Sequence, residues 1–84
     1  MSREEIENKL KEIIEPYVQE KGALENLQSE TDLLRDLKIN SAHLVDIILD
    51  MEDAFDIEID DESAEAMLTV GQAVGITEKL LQKE

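Results

Sequence analysis
Apolar residues recur along this chain at spacings of three and four, the period of helices buried along one side. At the start they fall at Ile6, Leu10, Ile13, Ile14, Tyr17 and Val18, which predicts a helix over 3–18. Ser2 and Glu5 stand where a reciprocal capping box would close its first turn. Glu4, Glu5 and Glu7 suit the positive end of the helix dipole. Pro16 lacks an N–H and is expected to kink or end the last turn.

The strongest pattern spans 41–55. With about 100° between successive residues, Leu44, Ile47, Ile48, Met51 and Phe55 form one stripe that should face the core. Ala42, Val45, Asp46, Leu49, Glu52, Asp53 and Asp56 form a second stripe that mixes apolar and acidic side chains. That second stripe reads as a docking face. Asn40 or Ser41 is the expected cap. A further helix is predicted over 70–81 from Val70, Ala73, Val74, Thr77, Leu80 and Leu81, with Thr69 and Gln72 as its capping box.

The connections are less regular. Residues 19–40 form a long link around Gly22, and a link of this length is expected to hold a short element or a function. One helical turn is predicted over 31–37, pinned by Leu33 or Leu34 and by Leu37. Residues 57–60 alternate like a strand but are too few to stand alone, so a loop is expected with Ile57 or Ile59 turned inward. A short helix over 62–67 would carry Ala64 and Met67. The charged residues at both ends are expected to fray. The predicted fold is all-α: one domain over 1–84, a small antiparallel four-helix bundle of three longer helices and one short, with a long first loop.

Composition narrows the function. The 84 residues are 42% apolar, yet the only aromatics are Tyr17 and Phe55, so the core must be aliphatic. The net charge is −14, with no lysine or arginine from residue 39 to residue 78, and ten of the twenty residues from 46 to 65 are carboxylates. Such a surface repels nucleic acid and attracts basic protein partners. Cysteine is absent, which removes disulfides and thiolate ligands. No stretch has the length of a membrane span and no signal-peptide pattern precedes the first charges, so a cytoplasmic monomer is expected.

Asp36-Leu37-Lys38-Ile39-Asn40-Ser41-Ala42 precedes the acidic helix, which ends in Glu52-Asp53-Ala54-Phe55. The acidic run Ile57-Glu58-Ile59-Asp60-Asp61-Glu62 follows, and later Leu68-Thr69-Val70. This order resembles the acyl carrier proteins, small four-helix domains that bear acyl groups on 4′-phosphopantetheine. Their pattern is Asp-Leu-Gly-x-Asp-Ser-Leu, a helix ending Glu-Glu-x-Phe, and an acidic loop. The likeness covers essentially the whole chain. It implies covalent 4′-phosphopantetheine on Ser41, installed by a phosphopantetheinyl transferase, with acyl groups carried as thioesters. The partners implied are acyl-chain synthesis and transfer enzymes of fatty-acid or polyketide type, with basic patches. They would meet Asp36, Asn40, Ala42, Val45, Asp46, Leu49, Glu52, Asp53 and Asp56. The resemblance also implies an acyl sleeve at Met51, Ile59, Ala64 and Met67, which are otherwise simply core. Asn40, Ala42 and His43 depart from the pattern, where Asp, Leu and an acidic residue are usual, and point to dedicated partner enzymes of a specialised pathway. His43 is placed near Asp50 on the helical net.

The residues themselves support an anion at Ser41, because the N-terminus of a helix favours negative charge. The plainer role for such a serine is that of an N-cap. An enzyme is not expected. Ser41 and His43 lie about 200° apart around a helix and do not face each other, and this is the only histidine. No dedicated metal site is expected either, since residues 56–62 lack the glycine and terminal bidentate Glu of a calcium loop. The rival function is an unmodified acidic helical module that binds other proteins.

Overall fold
A proline and three side-chain caps set the boundaries of the helices. In the computed structural model, which describes residues 2–82, α1 spans Arg3–Ile14. Ser2 Oγ accepts the Glu5 N–H at 3.2 Å and Glu5 Oε1 accepts the Ser2 N–H at 3.0 Å. Two of the four N–H groups that this end would orphan are thereby satisfied, and Arg3 and Glu4 lie in the helix rather than frayed. Met1, Lys83 and Glu84 lie outside the described residues, so the expected fraying of the last two does as well. The predicted helix over 3–18 ends early, at Ile14, and continues as a 3-10 turn over Glu15–Tyr17. Pro16 sits in the first positions of that turn, where its missing N–H costs nothing.

The long link holds more than one predicted turn. A four-residue helix, α2, spans Lys21–Leu24 and buries Leu24, which the sequence pattern did not single out. Residues 33–36 form a turn rather than a helix. Asp32 organises it: its Oδ1 accepts the N–H groups of Leu34 and Arg35 at 2.9 and 2.8 Å, and its carbonyl accepts those of Asp36 and Leu37. Such side-chain-to-backbone bonds compete with regular helix. Leu33 and Leu37 are buried and Leu34 is half-buried. Residues 28–33 then strap the start of the last helix. Val70 N–H bonds Thr31 O at 3.0 Å, Gly71 N–H bonds Ser29 O at 2.8 Å, and Leu33 N–H bonds Leu68 O at 3.0 Å.

The second long helix, α3, spans Leu44–Phe55 after a 3-10 turn over Ser41–His43. The short α4 spans Asp61–Glu65, capped by Asp60 Oδ1 on the Ser63 N–H at 2.7 Å. It stops before Met67, which is buried in the segment beyond. The last helix, α5, spans Val70–Gln82 and starts with the predicted box, Thr69 Oγ1 to Gln72 N–H and Gln72 Oε1 to Thr69 N–H. α1 packs against both α3 and α5. The fold is therefore a small helical bundle with three long helices, and among the described residues it has no strand, only an isolated bridge between Asp32 and Thr69. One apolar cluster fills it, with Ile6, Leu10 and Ile14 from α1, Ile47, Met51 and Phe55 from α3, and Val70, Ala73 and Val74 from α5. Thr77 is the one buried polar residue among those described, and its hydroxyl donates to Ala73 O at 2.9 Å.

Candidate functional site: the turn at Ser41
The chain reaches Ser41 under tight control. Leu37 and Ile39 are both buried, and between them Lys38 adopts φ +59°, the left-handed region. The Leu37 carbonyl accepts the N–H groups of Gln19 and Glu20, each at 3.2 Å, which ties the strap before Ser41 to the end of α1. Lys38 occupies the place where the acyl carrier pattern has glycine, the residue for which φ > 0 is free of steric cost.

Asn40, not Ser41, caps the 3-10 turn that leads into α3. Its Oδ1 accepts the Ala42 N–H at 2.9 Å and its carbonyl accepts the His43 N–H at 2.8 Å. Ser41 is exposed, and its Oγ has no hydrogen-bond partner among the described residues. The capping role that would have explained this serine belongs to its neighbour. An anion on Ser41 Oγ would gain from the dipole of α3, although Asn40 already holds the Ala42 N–H. A phosphodiester on an exposed, unbonded hydroxyl displaces nothing in the fold, so the residues present fit that group.

The predicted docking stripe divides into two kinds of residue. Val45 and Leu49 are 61% and 57% exposed. Asn40, Ala42, Asp46, Asp53 and Asp56 are exposed around them. Glu52 is half-buried, and its Oε2 accepts the Ile59 N–H at 2.8 Å. Asp36 Oδ2 accepts the Asp32 N–H at 2.8 Å. Both were expected on the docking face; each also uses one carboxylate oxygen to hold a loop, and Asp36 is itself exposed. Of Ile57 and Ile59, it is Ile59 that is buried.

Two further placements bear on the site. Met51, Met67 and Ile59 are buried and Ala64 half-buried, all packed in or against the core cluster. Side chains fill the place proposed for an acyl sleeve. A groove of about 320 Å³ does lie between α4 and α5, but Asp60, Ser63, Ala66, Ile76, Lys79 and Leu80 are among its lining and none of the four predicted residues is. His43 does not meet Asp50; its Nδ1 stands 3.5 Å from Asp46 Oδ2. Tyr17 reaches Asp50 instead, its hydroxyl donating to Oδ2 at 3.1 Å, while its ring lies against His43. Sequence reasoning missed Tyr17 because it is 33 residues from Asp50 and no local spacing joins them. Lys38 did carry a signal, as the one non-glycine at the pattern's glycine.

Comparison with known proteins decides the family. No protein-family model matches the chain. The acyl carrier protein of Desulforapulum autotrophicum is 44% identical over 69 residues, 82% of this chain and 88% of that protein. That of Lactobacillus acidophilus is 41% identical over 74 residues, 88% of this chain and 90% of that protein. This chain belongs to the acyl carrier protein family. The solved structure of the acyl carrier protein from Enterococcus faecalis agrees, with a TM-score of 0.79 at 31% identity over 95% of this chain and 99% of that one. As a member of that family the protein is a carrier and not an enzyme. Among the described residues no helix is long and apolar enough to cross a membrane.

Proposed function
We propose that a phosphopantetheinyl transferase links 4′-phosphopantetheine to Ser41 Oγ and that the carrier presents acyl groups on it to acyl-chain synthesis and transfer enzymes of fatty-acid or polyketide type. The group supplies a terminal thiol that holds the acyl chain as a thioester. Transfer forms one P–O bond to Ser41 Oγ, breaks the phosphoanhydride of the coenzyme A donor, and releases adenosine 3′,5′-bisphosphate and the serine proton. The observation that carries the reading is the exposed, unbonded Ser41 Oγ ahead of α3, in a chain 44% identical to a named acyl carrier protein. Ser29 and Ser63 lack that setting: Ser29 lies in the strap over α5, and Ser63 is half-buried inside α4. The Ser29 carbonyl bonds Gly71, and the Ser63 N–H bonds Asp60.

Docking is assigned to Ala42, Val45, Asp46, Leu49, Asp53 and Asp56, with Asn40 beside the attachment point. Long-range attraction to a basic patch speeds encounter, and a small apolar centre at Val45 and Leu49 permits release. An acyl chain entering the interior would have to displace Met51 or Met67, whose flexible side chains yield more readily than branched ones. The test is intact mass after incubation with coenzyme A and a broad-specificity transferase. One phosphopantetheine should add to the wild type and none to Ser41→Ala, with helical circular dichroism intact in both. Addition to Ser41→Ala would place the arm elsewhere, and a wild type that is never modified would favour an unmodified acidic interaction module.

A further inference from the structure
No residue of the 3-10 turn Ser41–His43 is buried, so core packing does not fix it. Asn40 caps it from the chain before, and a side chain from the end of α1 braces it from across the bundle. Tyr17 sits in the turn that Pro16 imposes at the end of α1, and from there it reaches α3 at two levels. Its ring centroid lies 5.3 Å from that of His43, with the planes tilted by 38°. Its hydroxyl donates to Asp50 Oδ2 at 3.1 Å. His43 and Asp50 are about two turns apart on one side of the helix, and a single side chain spans them. Asp46 Oδ2 faces His43 Nδ1 at 3.5 Å from the flank. The hydrogen bond to Asp50, with burial and the nearby Asp50 and Asp46 charges behind it, holds the Tyr17 hydroxyl protonated above its ordinary 10.0. It therefore remains a donor at any working pH. Packing Tyr17 against the core requires only an apolar body. The hydroxyl and the imidazole exceed that requirement: the ring touches the turn that presents Ser41 at His43, and the bond to Asp50 fixes where the ring lies.

We propose that Tyr17, clasped between His43 and Asp50, is a positioning residue that holds the Ser41 turn ready for attachment of the prosthetic group. This deepens the reading of Ser41 given above and rests on it. A transferase must bring Ser41 Oγ to bonding distance of phosphorus in one orientation. A turn already fixed loses little freedom on docking, whereas a loose one spends most of its time in unproductive conformers.

The experiment compares wild type with Tyr17→Phe, Asp50→Ala and Asp50→Asn, all conservative enough to fold. Asp50→Ala and Asp50→Asn lose the same charge, but only the asparagine keeps an acceptor for the Tyr17 hydroxyl. Two quantities are read: kcat/KM for phosphopantetheine transfer from coenzyme A, and backbone order parameters of Ala42 and His43. Tyr17→Phe and Asp50→Ala should lower kcat/KM about three- to tenfold, the range for one lost hydrogen bond. The two order parameters should fall from about 0.85 toward about 0.6 while those in α5 stay level. Asp50→Asn should remain within about twofold of wild type, since its bond is retained. A merely structural Tyr17 would shift melting temperature and leave both quantities unmoved in the folded protein. Equal kcat/KM for Asp50→Ala and Asp50→Asn, or unmoved order parameters, overturns the proposal. A wild type that accepts no phosphopantetheine overturns the Ser41 reading instead, and the order parameters then decide the clasp alone.

Discussion

Glu52 offers the sharpest separation of folding from function on α3. From the sequence it belongs to the docking face; in the structure it is half-buried and its Oε2 accepts the Ile59 N–H at 2.8 Å. That bond pins residues 57–60 across the end of α3, where Ile59 itself is 8% exposed. Glu52→Gln and Glu52→Met remove the same charge and have nearly the same volume, but only glutamine keeps an acceptor. Their difference therefore isolates the hydrogen bond from the relief of charge repulsion. A neutral bond to a backbone donor that would otherwise be left buried contributes about 1–2 kcal/mol. In a domain of this size each kcal/mol moves the melting temperature by about 4–8 °C. Glu52→Met should thus melt some 4–16 °C below Glu52→Gln, by the same conversion. Thermal melts by circular dichroism at fixed salt make the measurement. If the two variants melted within about 2 °C, less than any made bond allows, then the Ile59 N–H finds water or another acceptor and Glu52 returns to the docking face.

Four other outcomes are expected. Lys38→Gly should stabilise the fold by about 0.5–1 kcal/mol in urea unfolding, because left-handed strain at φ +59° is relieved by more than glycine's extra unfolded-state freedom costs; a loss of stability would refute it. Gly71→Ala should cost about 1–3 kcal/mol, since its Cβ would meet Ser29 O at 2.9 Å, whereas Gly75→Ala meets nothing within 4 Å and should gain about 0.5–1 kcal/mol; equal effects would mean the strap simply moves aside. Hydrogen bonds from Ser2, the backbone N–H first, hold the Glu5 carboxyl below its ordinary 4.5; stability from a lowered carboxyl is present above that pH and lost as pH falls through the folded value, so Glu5→Gln should lack that stretch of the acid unfolding limb. Asp53→Lys should raise stability by about 0.3–1 kcal/mol while slowing association with a basic partner enzyme, in chemical unfolding and stopped-flow measurements respectively; effects of the same sign on both would contradict the docking assignment.

The helices were legible because their signals are local. Ser2 with Glu5, and Thr69 with Gln72, are paired within one turn, and both boxes form as their spacing requires. The core stripe of α3 was legible for the same reason: Ile47, Met51 and Phe55 are buried where the period puts them. The failures are contacts between residues far apart in sequence, or choices between neighbours with equal claims. Asn40 and Ser41 both suit an N-cap, and only the backbone path through buried Ile39 decides for Asn40. The strap onto α5 is built from main-chain groups of residues 28–33, which no side-chain pattern announces. Pro16 gave the place where α1 ends, but not that Tyr17 would then point at α3. An acyl sleeve leaves no separate mark in the sequence, because the four residues expected to line it carry the same apolar period as the rest of the core they pack in or against.

The placement of the acids is itself an argument about function. In α3 the only acid in the first turn is Asp46, and the last turn holds no basic residue. Glu52, Asp53 and Asp56 instead crowd the C-terminal end, where the helix dipole is already negative and each carboxylate is disfavoured by about 0.3–1 kcal/mol. Glu52 has a folding role to offset this. Asp53 and Asp56 are exposed, and as side chains they worsen both the dipole and the self-repulsion of a chain carrying −14. Folding alone would favour lysine at position 53, as in the last turn of a helix, while the left-handed φ of +54° gives Asp56 a backbone reason of its own. The arrangement makes sense if a cationic partner completes it, because binding then relieves at once a strain the free carrier bears. That is why one substitution at Asp53 should push stability and association in opposite directions, and why the exposed pair Val45 and Leu49 lies just where those carboxylates would guide a partner.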